Sequence, residues 1–268
     1  MTMYTLAFSS CPNDTFVFHA MTHGLIDTGG STFTTHIRDV EELNGAAFMG
    51  TYDITKLSYH AYLLLRKSYT LLRSGSALGF GCGPLLVARN APRDLTRATV
   101  AIPGTFTTAY MLLRLWNPDI VNIAVARFDE ILEGVASGRF DAGLIIHEGR
   151  FVYPRYNLEK IIDLGEWWES ETGLPIPLGC IAMRSAPEFS DALPAISAAI
   201  RRSVEYAFDN PEQSSDYVRE HAREMDDNVI RQHIGLYVND FTRDLGDTGE
   251  KAVKALEDMA LCRGILRA

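Results

Sequence analysis

The sequence predicts an α/β protein built as two similar lobes that close on a small anionic molecule. Three observations carry this. Two twenty-residue segments share one helix–glycine–strand plan at a constant offset. Two strand–turn–helix units precede them in the same order. The loops at the carboxyl ends of all four strands carry hydroxyl, amide and charged side chains.

The first pair of segments is VEELNGAAFMGTYDITKLSY (Val40 to Tyr59) and FDEILEGVASGRFDAGLIIH (Phe128 to His147), at an offset of 88 residues. Glu42 matches Glu130, Gly50 matches Gly138, and Asp53 matches Asp141. Gly50 and Gly138 suit the left-handed position that ends a helix, where a side chain clashes. The apolar runs that follow suit parallel strands covered on both faces. Upstream, TLAFSSCPNDTF (Thr5 to Phe16) matches TVAIPGTFTTAY (Thr99 to Tyr110) at an offset of 94, with Pro12 placed for the first turn of a helix. The alternative is two unrelated strand–helix–strand units.

GCGPLLVARN contains a strand expected to pass from the first lobe to the second, and LPIPLGCIAMR (Leu174 to Arg184) the return. The expected division is residues 1–88 with 180–268 in a discontinuous larger lobe, and 89–179 in a smaller one. Leu193, Ile196, Ile200, Val204 and Phe208 form one apolar helical stripe. Val253, Leu256, Met259 and Ala260 form another, after Asp247 and Glu250 at capping-box spacing.

A net charge of −9 argues against a nucleic-acid partner, which needs a concentrated Lys/Arg surface, but leaves room for a locally positive pocket. The four cysteines show neither a Cys-x-x-Cys pair nor zinc spacing, as suits reduced thiols. MTMYTLAFSSCPND lacks a basic stretch followed by a continuous apolar one, and no apolar run approaches a membrane span. The expectation is a cytoplasmic protein with no membrane partner.

The strand-end rule gathers SSCPND (Ser9 to Asp14), TKLSY (Thr55 to Tyr59), PGTFTT (Pro103 to Thr108) and IIHEGR (Ile145 to Arg150) at one cleft. In PGTFTTA, Gly104 permits a tight turn. Thr107 and Thr108 at a helix start offer hydroxyls and free N–H groups to a carboxylate or phosphate, or else simply cap the helix. The segment lacks the Gly-Lys-Ser/Thr of a nucleotide loop, and GFGCGP lacks the dinucleotide fingerprint. Lys56, in an otherwise apolar strand with Ser58, needs a ligand or an ion-pair partner, for which Asp14 is available. His19 and His23 share a helix face without a third metal ligand, so no metal is expected. His147 ends the run AGLII where the strand emerges into the cleft. There an imidazole serves either as a general acid–base or as a core histidine bonded to a carbonyl. GEWWESETGLPIP (Gly165 to Pro177) is expected as an apolar wall or a packed loop between the lobes.

Together, CPNDTF, TKLSY, GPLLVAR, TTAY, AGLIIHEGRF and TGLPIPLG, in this order and spacing, resemble the 1,4-dihydroxy-6-naphthoate synthases, enzymes of the futalosine route to menaquinone. The likeness covers nearly the whole chain. It implies a type II periplasmic-binding-protein-like fold with a ligand cleft between the lobes. The implied reaction is a cofactor-free carbon–carbon lyase reaction, cleaving cyclic dehypoxanthine futalosine to 1,4-dihydroxy-6-naphthoate and dihydroxyacetone. It further implies His147 as general base, with Lys56, Leu57, Ser58, Thr107, Thr108, Ala109, Asn44, Ile146 and Leu174 at a small anionic aromatic substrate. Two departures stand out: Ser10 replaces a proline usual in the family, and Gly149 stands where serine is frequent. The rivals are a solute-binding or ligand-sensing protein without chemistry, and the related lyase that dehydrates chorismate.

Overall fold

A computed structural model describes residues 2–90, 92–223 and 226–267. The chain opens with β1 (Thr2–Phe8), α1 (Pro12–Thr22), β2 (Ser31–Ile37), α2 (Val40–Phe48), β3 (Ile54–Ser58), α3 (Tyr59–Leu65), β4 (Tyr69–Leu71) and β5 (Ala77–Gly79). It continues with β6 (Leu85–Ala88), β7 (Val100–Ile102), α4 (Thr108–Trp116), β8 (Ile123–Val125), α5 (Phe128–Ala136), β9 (Ala142–Ile145), α6 (Gly149–Val152), β10 (Glu159–Asp163) and α7 (Leu164–Thr172). Last come β11 (Ile176–Arg184), α8 (Leu193–Asp209), α9 (Ser215–His221), α10 (Asp227–Tyr237), α11 (Asp240–Arg243) and α12 (Gly246–Cys262).

Two sheets result. The first has the order β2-β1-β3-β11-β4, with β5 also on β11; the second has the order β10-β6-β9-β7-β8. The repeat holds to single-residue register. Leu6 faces Ile54 and Thr35 across β1, while Val100 faces Ala142 and Ile123 across β7; these are corresponding positions at the two offsets. In each sheet the third strand of the unit then pairs antiparallel with a strand from the other part of the chain, β11 on β3 and β6 on β9. The two crossings are therefore exchanged edges of one plan. In the second sheet the chain has already crossed at Leu85, and the return strand begins at Ile176.

The local reasons repeat too. Helices α2 and α5 both end two residues before a glycine in the left-handed region, Gly50 at φ 62° and Gly138 at φ 84°. Asp53 accepts hydrogen bonds from Thr5 N (2.9 Å) and Thr5 Oγ1 (2.8 Å), tying the entry of β3 to β1. Asp141 accepts from Thr99 N at 2.8 Å, tying β9 to β7. Both β3 and β9 are buried throughout, as strands covered on two faces must be.

Two expectations change. Helix α12 begins at Gly246, so Asp247 sits inside its first turn and no capping box forms; Asp244 Oδ1 instead accepts Gly246 N–H at 2.9 Å. The aromatic stretch is not a loop: residues 164–172 form α7. Trp168 lies fully buried in the main core, its Nε1 donating to Pro175 O at 3.1 Å. Helix propensity through Glu-Trp-Trp-Glu-Ser-Glu, closed by Gly173 at φ 67°, outweighs the turn signals that follow. Among the described residues, no helix is long and apolar enough to cross a membrane.

Candidate active site

The carboxyl ends of β1, β3 and β9 and the amino end of α4 converge on a cavity of about 630 Å³, counting its open mouth. The first sheet's side contributes Ser9, Asn13, Asp14, Lys56 and Ser58. Thr107, Thr108, Ala109, Ile146 and His147 come from the second. Leu178 and Gly179 of β11 and Tyr237 of α10 complete the lining, with Val40, Ala77, Cys82 and Pro84.

Seven of the ten residues expected at the site thus line one cavity. Leu57, Asn44 and Leu174 do not. Strand alternation turns Leu57 into the main core, fully buried. Asn44, also fully buried, sits behind Ser58: its Oδ1 accepts Ser58 N–H at 2.9 Å and its Nδ2 donates to Ser58 Oγ at 3.0 Å. Leu174 packs with Leu78, Leu245 and Ala252 in a separate small cluster.

Lys56 meets Asp14: Nζ and Oδ1 lie 2.6 Å apart, with both side chains almost wholly out of solvent. A buried charge needs such a partner. Asp14 also accepts from Ser9 Oγ (2.6 Å), Ser9 N (3.2 Å) and Asn13 Nδ2 (2.8 Å). Since Nδ2 of Asn13 must face the carboxylate, its Oδ1 faces His233 Nε2 at 2.9 Å. The neutral His233 therefore carries its proton on Nε2. Burial, with His147 and Lys56 nearby, holds the His233 pKa well below the ordinary imidazole value. Asn13 and His233 were missed in the sequence. The available signal was a histidine on the apolar face of α10, in step with Val229, Ile230 and Tyr237.

His147 adopts φ 54°, a left-handed conformation that costs a residue with a side chain about 1–3 kcal/mol and clusters at functional positions. Its ring meets Phe128 edge-on with centroids 5.0 Å apart, and stacks against His233 at 6.1 Å. Nδ1 contacts Cys11 Sγ at 3.4 Å, whereas Nε2 is shielded from solvent without a protein partner. Burial lowers its pKa to about 4, opposed by Asp39 and Asp14 and assisted by Lys56. Cys11, the residue preceding α1, is pushed well above the usual thiol range, chiefly by burial and then by Glu148 and Asp14. A neutral imidazole therefore sits against a neutral thiol. Nothing in the cysteine spacing pointed to that contact, because it joins residues 136 positions apart.

At α4, Thr107 is the N-cap: its Oγ1 accepts Tyr110 N–H at 3.2 Å and donates to Gly104 O at 2.8 Å. Thr108 Oγ1 donates to Leu178 O at 2.7 Å and accepts His60 N–H at 3.3 Å. Both hydroxyls are thus engaged within the protein. The first-turn N–H groups of Thr108 and Ala109, which have no acceptor within the helix, remain to serve an anion. The loop before them is partly filled: Glu41 of α2 accepts Phe106 N–H at 2.9 Å. A Cβ on Gly104 would collide with the Glu41 carboxyl group, and Gly104 has no positive φ. The glycine answers a close approach rather than a turn. Among the described residues no cluster of three or more His, Cys, Asp or Glu can hold a metal ion, and His23 Nδ1 is bonded to His19 O at 2.9 Å.

Two sheets joined by exchanged strands around a cleft define the periplasmic-binding-protein-like class. Solved structures agree. The alkanesulfonate-binding protein SsuA of Xanthomonas axonopodis pv. citri bound to MOPS superposes with a TM-score of 0.72 at 14% identity, over 100% of this chain and 95% of that one. A Candida albicans protein described as having the generic periplasmic binding protein structural fold gives 0.72 at 12% identity, over 100% and 92%. A crystal structure from Archaeoglobus fulgidus is much nearer, with a TM-score of 0.93 at 35% identity over 98% of both chains. Residues 4–261 match the family described as Menaquinone biosynthesis, and the chain belongs to that family. It is 49% identical over 261 residues to the 1,4-dihydroxy-6-naphtoate synthase of Thermus thermophilus, covering 97% of this chain and 94% of that one. The synthase of the same name from Streptomyces coelicolor is 47% identical over 268 residues, covering 98% and 94%.

Proposed function

We propose that the chain is a 1,4-dihydroxy-6-naphthoate synthase: a cytoplasmic, cofactor-free lyase that cleaves cyclic dehypoxanthine futalosine to 1,4-dihydroxy-6-naphthoate and dihydroxyacetone. The observation that carries this is the strained, cavity-lining His147, with an Nε2 that has no protein partner, in a chain nearly half identical to enzymes of that name.

In this reading His147 is the general base. Its pKa of about 4 keeps the imidazole neutral at physiological pH, the form a base requires. For Nε2 to accept a proton, Nδ1 must carry the hydrogen, and Cys11 Sγ at 3.4 Å is placed to accept it. Nε2 takes a hydroxyl proton from the sugar-derived ring, and the alkoxide becomes a carbonyl as the adjacent carbon–carbon bond breaks. The bonding pair passes into the substrate's ring carbonyl as an enolate that takes the proton back from His147. Aromatisation of the second ring pulls the reaction forward. The N–H groups of Thr108 and Ala109 and the hydroxyl of Ser58 steady the anionic parts of the substrate. The Lys56–Asp14 pair supplies a fixed dipole below it, and closure of the lobe built on the first sheet against the lobe built on the second excludes water.

Incubating the protein with cyclic dehypoxanthine futalosine, with and without a chelator, tests the reading. The expected result is naphthoate formation indifferent to chelator and lost in His147→Ala. Binding without product would leave a ligand-binding protein. Turnover near the wild-type rate in His147→Ala would remove the base assignment alone.

A further inference from the structure

One chain of hydrogen bonds joins the two walls of the cavity and ends on Ser58. Glu41 Oε1, from the first lobe, accepts Phe106 N–H at 2.9 Å and Thr105 Oγ1 at 3.4 Å from the loop preceding α4. Its Oε2 accepts Asn44 Nδ2 at 3.0 Å, and Asn44 in turn grips Ser58. The Asn44 amide has only one orientation that fits. The end facing Ser58 N–H must be the oxygen, and the end facing the Glu41 carboxylate must be the nitrogen. Ser58 Oγ therefore accepts from Asn44 Nδ2, and its own hydrogen is left for the cavity that Ser58 lines.

We propose that Glu41 is a positioning residue that couples closure of the lobes to the presentation of Ser58 as a hydrogen-bond donor to a substrate oxygen. With the lobes together, Glu41 is held by Phe106 N–H and fixes Asn44, which turns the Ser58 hydroxyl outward. With the lobes apart, Glu41 loses its second-lobe donors, and its carboxylate is no longer held in place against Asn44 Nδ2. The close packing of Gly104 on the Glu41 carboxyl leaves no room for a substitute partner. Ser58 is thereby matched to a carbonyl, carboxylate or developing oxyanion rather than to a donor group. The proposal rests on the reading of this cleft as the substrate site.

The test separates latch from donor. In Glu41→Gln one end of the side chain becomes a donor, so it meets either Asn44 Nδ2 or Phe106 N–H donor against donor. The double variant Glu41→Gln/Asn44→Asp restores that contact but makes Ser58 give its hydrogen to residue 44. Lobe separation is read by paired spin labels at Met49→Cys and Val121→Cys, both highly exposed, in a Cys262→Ser background. With cyclic dehypoxanthine futalosine as probe, Glu41→Gln should widen the distance distribution and lower kcat/KM roughly ten- to a hundredfold, mainly through KM. The double variant should recover the wild-type distances but not kcat/KM. Unchanged distances and kinetics in Glu41→Gln, or full kinetic recovery in the double variant, would overturn the proposal. An inactive wild type would instead overturn the substrate reading, with the distances still reporting on the latch.

Discussion

At the scale of the residue, environment decides what each polar group can do. His147 is a histidine whose ring nitrogens have been separated by their surroundings, Nδ1 against a thiol and Nε2 buried without a protein partner. Replacing Cys11 by serine keeps an acceptor for Nδ1 and adds a favoured N-cap to α1, so kcat should hold and the melting temperature stay level or rise. Cys11→Ala strands the Nδ1 hydrogen and should lower kcat roughly tenfold. Equal kcat in both variants would show that sulfur plays no part in setting the tautomer. The pKa of about 4 for His147 also moves the acid limb of kcat/KM toward pH 4, well under the ordinary imidazole value; a limb near pH 6.5 would contradict the burial argument. Asp14 holds Lys56, Ser9 and Asn13 at once. Asp14→Ala should cost about 3–5 kcal/mol in urea unfolding, because it leaves a buried ammonium unpaired.

At the scale of the element, glycines of one residue type do different work, and stability measurements can tell them apart. Gly50 needs only its left-handed conformation: a Cβ there would meet Arg184 Cδ no closer than 3.6 Å. Gly50→Ala should therefore cost about 1 kcal/mol. Gly83 is different, since a Cβ would run into the backbone of Gly165, where the loop entering β6 touches the start of α7. Gly83→Ala should cost several times more or displace α7, a difference that parallel denaturant titrations would reveal. Near-equal costs would refute the packing argument. The two contrasted positions also mark the limit of what could be read from the chain. Gly50 and Gly138 were legible because a helix end is a local event with a local signal. The same is true of the repeat, which reappears as equal register in the two sheets. Gly104 was seen to matter for the wrong reason, since its constraint comes from Glu41, 63 positions away and on another helix. Seven of ten expected site residues reached the cavity because strand ends gather by topology. Leu57, Asn44 and Leu174 fell outside it because side-chain direction, burial and second-layer hydrogen bonding are decided by packing that spacing does not encode.

At the scale of the molecule, His60, His147 and His233 tie the stability of the fold to pH. His60 is lowered to about 4, mainly by burial, and its Nδ1 lies 3.3 Å from Thr107 O in the other lobe. His147 is lowered to about 4 and His233 further still, both by burial first. In the unfolded chain all three would titrate near pH 6.5. Between pH 6.5 and about 4 the unfolded state therefore binds protons that the folded state refuses, so stability is fully present above pH 6.5 and falls as pH drops through this window. Each histidine should remove on the order of 1–2 kcal/mol between pH 7 and pH 5. The window lies above the range in which ordinary carboxylates titrate. Glu41, raised by desolvation, acts with the opposite sign, gaining stability as it protonates. Urea midpoints measured at pH 7, 6 and 5 should decline steadily, and hydrogen exchange should show amides of β3, α3 and the first turn of α4 loosening before those of β1 and α8. That order follows from where the refused protons would have to go: onto these histidines, not into either sheet. A midpoint unchanged down to pH 5 would mean that the histidines are already solvated in the native state, and that the cleft is looser than its packing implies.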